Sequence, residues 1–390
     1  MAGPQHIVLN SRLVSICFDI LQMKSMDVQY CPSTLTAAEI AQQPTLWPTT
    51  LERVQAAHLP ELVDIRSVIL TGAGTSAYAA SAIAASWPGA RAIPTTDLLV
   101  QSAQDIQRVA PSFAANGLLI SLARSGESPE SLAVVKRIQQ LLPSTKHLAI
   151  VCNADGALAH ADGVRVICLD PRTNDRSLAM TSSFSNLTLA GLCLVHGDRI
   201  AELLPTICRR VADRLAEFNA VADEISRAPI DRLAILASDD MRALATEASL
   251  KVLELTAGRV IALPETFLGL RHGPLSFLRD DTPVLCFLSS NPERRRYEDD
   301  LLTELRQKRL GRLIVIGAAG TSVPASDRLI LANAPDLPDW LRVPFEIPFA
   351  QLLAYHLSLR ANLNPDNPSP NGAIARVVNP FRIHEEFDGA

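Results

Sequence analysis

The chain has 390 residues, 48% apolar and 20% charged, a globular balance with length for two or more domains, each with its own core. A net charge of −5 without a basic block, and only 5% aromatics, exclude nucleic acid as a partner. Seven scattered cysteines (Cys17, Cys31, Cys152, Cys168, Cys193, Cys208 and Cys286) without a Cys-x-x-Cys, and eight histidines without a His-Glu-x-x-His, exclude a disulfide framework and a protein-built metal site. They fit reduced thiols in a cytoplasmic protein.

Residues 1–36 read as an appendage ahead of the fold. The apolar run Leu13–Met23 follows Arg12 like a signal peptide, but Asp19 interrupts it and no Ala-x-Ala pattern follows. No apolar run reaches bilayer length, so no membrane is expected. The first regular unit is the strand Ser67-Val-Ile-Leu-Thr71, then Gly72-Ala-Gly-Thr-Ser76, then an alanine-rich helix. A second is the strand Gly117-Leu-Leu-Ile-Ser-Leu122, then Arg124-Ser-Gly-Glu-Ser128, then a helix to about Leu142. The strand Leu148-Ala-Ile-Val-Cys152 follows. Strands alternating with helices predict an α/β fold with a parallel sheet covered on both faces.

Helices over residues 184 to 226 lead to a second half with the same order. Leu233-Ala-Ile-Leu-Ala237 precedes a helix carrying Glu247, Lys251 and Glu254; Pro283-Val-Leu-Cys-Phe-Leu288 precedes a helix ending near Lys308; Leu313-Ile-Val-Ile-Gly317 matches the strand at 148. A tail rich in Pro and Asn from Asn362 is expected to cross the surface as a loop.

The halves differ at their strand-to-helix turns. The first keeps Gly74, Thr75, Ser76, Ser125, Gly126 and Ser128, small residues and hydroxyls able to cradle an anion at helix N-termini. The second has Ser238-Asp-Asp240 and Asn291-Pro-Glu293, acidic where an anion needs donors. Both turns of the first half fall at the carboxyl edge of the sheet, where two serine-rich bends suit a phosphate monoester. Gly72-Ala-Gly74-Thr-Ser-Ala77 also satisfies the dinucleotide pattern Gly-x-Gly-x-x-Ala, with Asp97 near a ribose-binding position. That reading leaves the Arg124–Ser128 turn and the charged helix unused.

On that helix Glu247, Lys251 and Glu254 fall at i, i+4 and i+7, one face, and His272 follows in the turn Gly269-Leu-Arg-His-Gly-Pro274. These supply a base, a charge partner and a group titrating near neutrality, the parts for moving protons on a carbon acid. The same spacing also describes an ordinary exposed salt bridge.

Thr71-Gly-Ala-Gly-Thr-Ser76 and Ser125-Gly-Glu-Ser128 resemble the phosphosugar-binding loops of sugar isomerase (SIS) domains. Glu247-x-x-x-Lys251-x-x-Glu254 and Arg271-His-Gly-Pro274 resemble the isomerase half of glucosamine-6-phosphate synthase. The chain is closer still to the galactosamine-6-phosphate deaminase/isomerase group, long labelled tagatose-6-phosphate ketose/aldose isomerase. Glu39-Ile-x-x-Gln-Pro44, Pro94-Thr-Thr-Asp97, Ala179-Met-Thr-Ser-Ser183 and Arg376-Val-Val378 support the likeness.

The resemblance implies two tandem SIS domains, residues 37–218 and 219–390, each a mostly parallel, flavodoxin-like three-layer sandwich. It implies a homodimer or higher assembly, and no metal or organic cofactor. By position, Ser76, Ser125 and Ser128 would bind the 6-phosphate of a hexosamine 6-phosphate, with Gly74, Thr75, Gly126, Thr181 and Arg376 in the binding set. Glu254 would shuttle a proton between C1 and C2. His272, supplied by the neighbouring subunit in relatives, would assist ring opening, and Lys251 and Glu247 would order and charge-balance the helix. The turn Ala237-Ser-Asp-Asp240 departs from the glycine-rich form expected in this group. The expected reaction is conversion of galactosamine 6-phosphate to tagatose 6-phosphate and ammonia. Deamination of glucosamine 6-phosphate, plain aldose–ketose isomerisation and a non-catalytic sugar-phosphate sensor are the alternatives.

Overall fold

The computed structural model describes residues 33–57, 59, 65, 67–377 and 382–384. Its first sheet holds β1 (Ser67–Thr71), β2 (Ala90–Ala92), β3 (Gly117–Ala123), β4 (Lys146–Val151) and β5 (Val164–Cys168). Its second holds β6 (Arg232–Ala237), β7 (Ile261–Glu265), β8 (Pro283–Phe287), β9 (Arg312–Gly317) and β10 (Arg328–Leu331). Every pairing is parallel, and the orders are β2-β1-β3-β4-β5 and β10-β9-β8-β6-β7. Counted from its own first strand, each sheet has the order 2-1-3-4-5, so one topology occurs twice.

The six predicted strands are β1, β3, β4, β6, β8 and β9. The four that pattern reading missed, β2, β5, β7 and β10, flank the others. They are short or half-exposed and present no continuous apolar run. β1, β3 and β8 are buried along their whole length, because helices cover both faces.

The principal helices are α1 (Leu35–Ala41), α2 (Gln43–Ala56), α3 (Thr75–Ser86), α4 (Pro129–Leu141), α5 (Ser182–Ser226), α6 (Arg242–Leu255), α7 (Pro292–Lys308) and α8 (Asp339–Arg360). The helices expected over 184–226 are the single element α5, bent at His196, whose backbone leaves the helical region (φ −127°, ψ 26°). There the imidazole stacks on Trp340 of α8 at 4.1 Å. α5 packs on both α2 and α8, and α3 packs on α6. One apolar cluster joins Ile120 and Leu148 of the first sheet to Ile235 and Phe287 of the second through Phe184 of α5 and Phe345 of α8. The expected boundary at 218–219 falls inside α5.

Residues 1–32 of the expected appendage lie outside the described residues, but 34–36 belong to the fold. Thr34 caps α1, and Thr36 is buried. The tail reaches back to them: Asp366 accepts hydrogen bonds from the Leu35 and Thr36 amides and the Thr36 hydroxyl at 2.8–3.1 Å. Among the described residues no helix is long and apolar enough to cross a membrane.

Both sheets therefore turn a carboxyl edge toward loops that differ in chemistry. In the first, β1 and β3 lead the chain to opposite sides, opening a crevice between the turns after them.

Candidate active site

α6 is rich in Ala and Leu, and its apolar residues pack inward with two charged ones among them. Glu247 and Lys251 are fully buried and Glu254 stands 23% exposed at the rim, so this is no solvated surface ladder. The Lys251 ammonium lies 2.5 Å from Glu254 Oε2, 3.0 Å from Thr75 Oγ1 and 3.4 Å from Glu247 Oε1. The buried ammonium donates to Glu254 and Thr75 and stands in an ion pair with Glu247. Leaving such a charge unpaired would cost about 3–5 kcal/mol, which is why the helix needs all three partners. Burial pulls Lys251 down, but the two carboxylates outweigh it and the ammonium is held above its ordinary pKa. Burial pushes Glu247 up to about 8, against the pull of Lys251. The second oxygen of Glu247 has no partner, which fits a carboxyl that keeps its proton.

Thr75 and Ser76 open α3, which packs across α6. Gly74 caps this helix at φ 55°, ψ −126°, a conformation for glycine, and a side chain on Gly72 would lie 2.6 Å from the Ser76 backbone. These glycines set the sharp entry that brings the start of α3 to the crevice. Ser76 is 4% exposed and its hydroxyl has no partner among the described residues. Thr75 is different. Its hydroxyl donates to Glu247 Oε1 at 3.3 Å and accepts from Lys251. The one proton of the Thr75 hydroxyl is thus directed to Glu247 inside the protein.

The second turn sits on the neighbouring strand end. Gly126 has φ 71°, and Gly156 presses close enough that a side chain there would meet the Ser125 carbonyl at 2.1 Å. Ser128 is the N-cap of α4 yet makes no capping bond, so its hydroxyl is free for a ligand. The matching turn of the second sheet is spent internally. Asn291 caps α7 through its side chain, Ser290 N–H and the Ser289 hydroxyl bind the Asp339 carboxylate, and Arg294 pairs with Asp240 at 2.9 Å and with Asp239. The side chains of the turn after β8 are thus committed within the protein, unlike Ser76 and Ser128 of the first sheet.

Arg124 lies between β3 and Ser125. Its guanidinium is 7% exposed and donates to the Ser177, Leu178 and Arg376 carbonyls. It holds the C-terminal segment against the turn after β3, and burial lowers its pKa below the ordinary arginine value. Arg376 donates to the Asp175 carbonyl at 2.8 Å and to Asn174 Oδ1 at 2.5 Å, placing the tail over the first sheet. Thr181 is fully buried at the start of α5; its amide donates to Asp175 and its hydroxyl has no partner. Beneath lies Glu39, raised to about 7 by burial and by Asp175, its carboxylate accepting from the Arg176 and Ser177 amides. Tyr78, one turn after Thr75, is half-buried, its phenol raised by burial and by Glu247 and Glu254. Thr181 and Arg376 are residues the resemblance places in the binding set, whereas no spacing rule links Tyr78 to the helix at 247.

His272 is not gathered into this cluster. It is exposed in the loop after β7, and its ring makes no hydrogen bond or ion pair among the described residues. The turn that presents it is shaped by Gly273 at φ 111° and by Arg271 paired with Glu304 at 2.7 Å.

No protein-family model matches the chain. D-galactosamine-6-phosphate deaminase AgaS of Shewanella sp. (strain ANA-3) is 35% identical over 371 residues, 90% of this chain and 91% of that protein. The crystal structure of tagatose-6-phosphate ketose/aldose isomerase from Escherichia coli superposes with a TM-score of 0.79 at 33% identity, covering 90% of this chain and 100% of that one. The C-terminal domain of glucosamine-fructose-6-phosphate aminotransferase from Francisella tularensis shares the fold, with a TM-score of 0.69 at 17% identity over 86% of this chain and 98% of that one.

Proposed function

Because the chain belongs to the D-galactosamine-6-phosphate deaminase AgaS family, we propose that it converts galactosamine 6-phosphate to tagatose 6-phosphate and ammonia. The observation that carries this reading is the contact of Lys251 with both Glu254 and Thr75. It sets an acid–base helix of the second half against the anion-binding turn of the first.

In this reading the phosphate rests on Ser76, Ser125 and Ser128 with the amides at the start of α3 and α4. Anchoring that end fixes the sugar carbons against Glu254 and removes an orientational cost from the barrier. His272 of a second copy assists ring opening, which exposes the C1 aldehyde. Glu254 takes the C2 proton to give an enolamine and returns it at C1, leaving a ketimine; water adds to C2, and ammonia leaves. General acid–base help of this kind contributes about 10²–10⁴-fold per group. The two sheets are read as tandem SIS domains, the working unit as a homodimer or larger, and the location as the cytoplasm.

The test is an ammonia-release assay on galactosamine 6-phosphate and glucosamine 6-phosphate, following tagatose 6-phosphate and fructose 6-phosphate as products. Ammonia and tagatose 6-phosphate from the galacto substrate are expected. Glu254→Gln is expected to abolish release while the sugar phosphate still binds; turnover retained by that variant removes Glu254 from the mechanism. A second reading, non-deaminating ketose/aldose isomerisation, is favoured by the name of the E. coli structure. It predicts interconversion of tagatose 6-phosphate with its aldose and no ammonia from either hexosamine.

A further inference from the structure

We propose that Thr75 is a positioning residue that couples occupancy of the phosphate cradle to the Lys251–Glu254 pair, and that it does not itself bind phosphate. The proposal rests on the deaminase reading for its chemistry and on geometry for its argument. Thr75 is 3% exposed and lies next to Ser76 at the start of α3. A hydroxyl has one proton to give. Thr75 gives it to Glu247 Oε1 at 3.3 Å and receives one from Lys251 at 3.0 Å, so nothing remains for an anion, which requires donors.

The three contacts of Lys251 are unequal. Two, to Glu247 and Glu254, come from its own helix and would persist wherever α6 went. The third crosses 176 residues of sequence and, among the described residues, is the one bond that fixes the ammonium relative to the other half of the chain. Through it, an anion that orders Ser76 and the first turn of α3 also orders the ammonium, and with it the Glu254 carboxylate. The methyl of Thr75 is confined by the same packing, so the hydroxyl has no freedom to rotate toward the crevice without releasing a buried charge.

The experiment compares Thr75→Val with Thr75→Ser and Ser76→Ala, reading kcat, KM and the inhibition constant of inorganic phosphate, which reports the cradle alone. Thr75→Val is expected to lose about 10- to 100-fold in kcat, the value of a hydrogen bond to a charged group, with phosphate inhibition within about twofold of wild type. Thr75→Ser, which keeps the hydroxyl, restores kcat to within about threefold, and Ser76→Ala weakens phosphate instead. Phosphate weakened by Thr75→Val as much as by Ser76→Ala, with kcat kept, overturns the proposal. So does a Thr75→Ser variant as slow as Thr75→Val. Thermal midpoints establish that the variants are folded; if the valine variant is not, Thr75→Ala is read in its place. A wild type that releases no ammonia defeats the deaminase reading. The phosphate constants of the Thr75 and Ser76 variants still decide the role of Thr75.

Discussion

Lys251 shows why residue type alone underdetermines chemistry. At a surface its ladder with Glu247 and Glu254 would contribute under about 1 kcal/mol and do nothing else. Buried, the same three side chains make a unit in which the charge of each alters the others. Glu247 makes this measurable. Its folded pKa of about 8 lies above the ordinary 4.5, so the folded chain holds the proton more tightly than the unfolded one. The stability this gives is full below pH 4.5 and is lost as pH rises through the window to about 8. Glu247→Gln keeps the neutral shape and removes the titration. Its thermal midpoint should therefore change less than that of wild type over that window, by a few degrees. Identical pH slopes would mean Glu247 is ionised in the fold.

At the scale of elements, the two sheets show how one topology holds two kinds of turn. α4 and α7 both begin with proline at the first helical position, but their caps differ. The Asn291 side chain accepts from the Glu293 and Arg294 amides of α7, and the Ser128 side chain accepts from no amide of α4. A helix start is stabilised either by its own side chain or by a ligand, and at α4 the side chain does not take the first option. Asn291→Ala should cost about 1 kcal/mol in urea unfolding and leave turnover unchanged. Ser128→Ala should leave stability unchanged and raise KM for the sugar phosphate about 10-fold or more, from a lost bond to a charged group. Equal effects of both substitutions on KM would mean that α4 is not an anion-binding helix.

For the whole molecule, the shared core and the returning tail matter most. α5 and α8 tie the sheets into one apolar cluster, and Asp366, Arg376 and Arg124 bring the C-terminal segment onto α1 and the first sheet's edge. His272, by contrast, is exposed and makes no hydrogen bond or ion pair among the described residues. If a second copy supplies it, two inactive proteins should repair each other. Mixing Glu254→Gln with His272→Ala after subunit exchange should restore about a quarter of wild-type activity, since half the dimers are hybrids with one intact site. Activity that stays at the level of the separate variants would place both residues in one chain's site.

Much of this was readable in advance. The alternation of apolar strands and helices, the duplication, and the glycine–serine turns are local patterns, and local spacing alone put Glu247, Lys251 and Glu254 on one face. The edge strands β2, β5, β7 and β10 were not readable, because a strand covered on fewer sides needs no apolar run. Tertiary packing alone decided that α6 is buried charges and all, that Thr75 faces Lys251 and not the crevice, that Arg124 clasps the tail, and that His272 stands apart. These depend on contacts between residues far apart in sequence, and burial and hydrogen-bond partnership belong to such contacts. The sequence names the groups available; which of them can still give a proton to a ligand is settled only when the fold has assigned the rest.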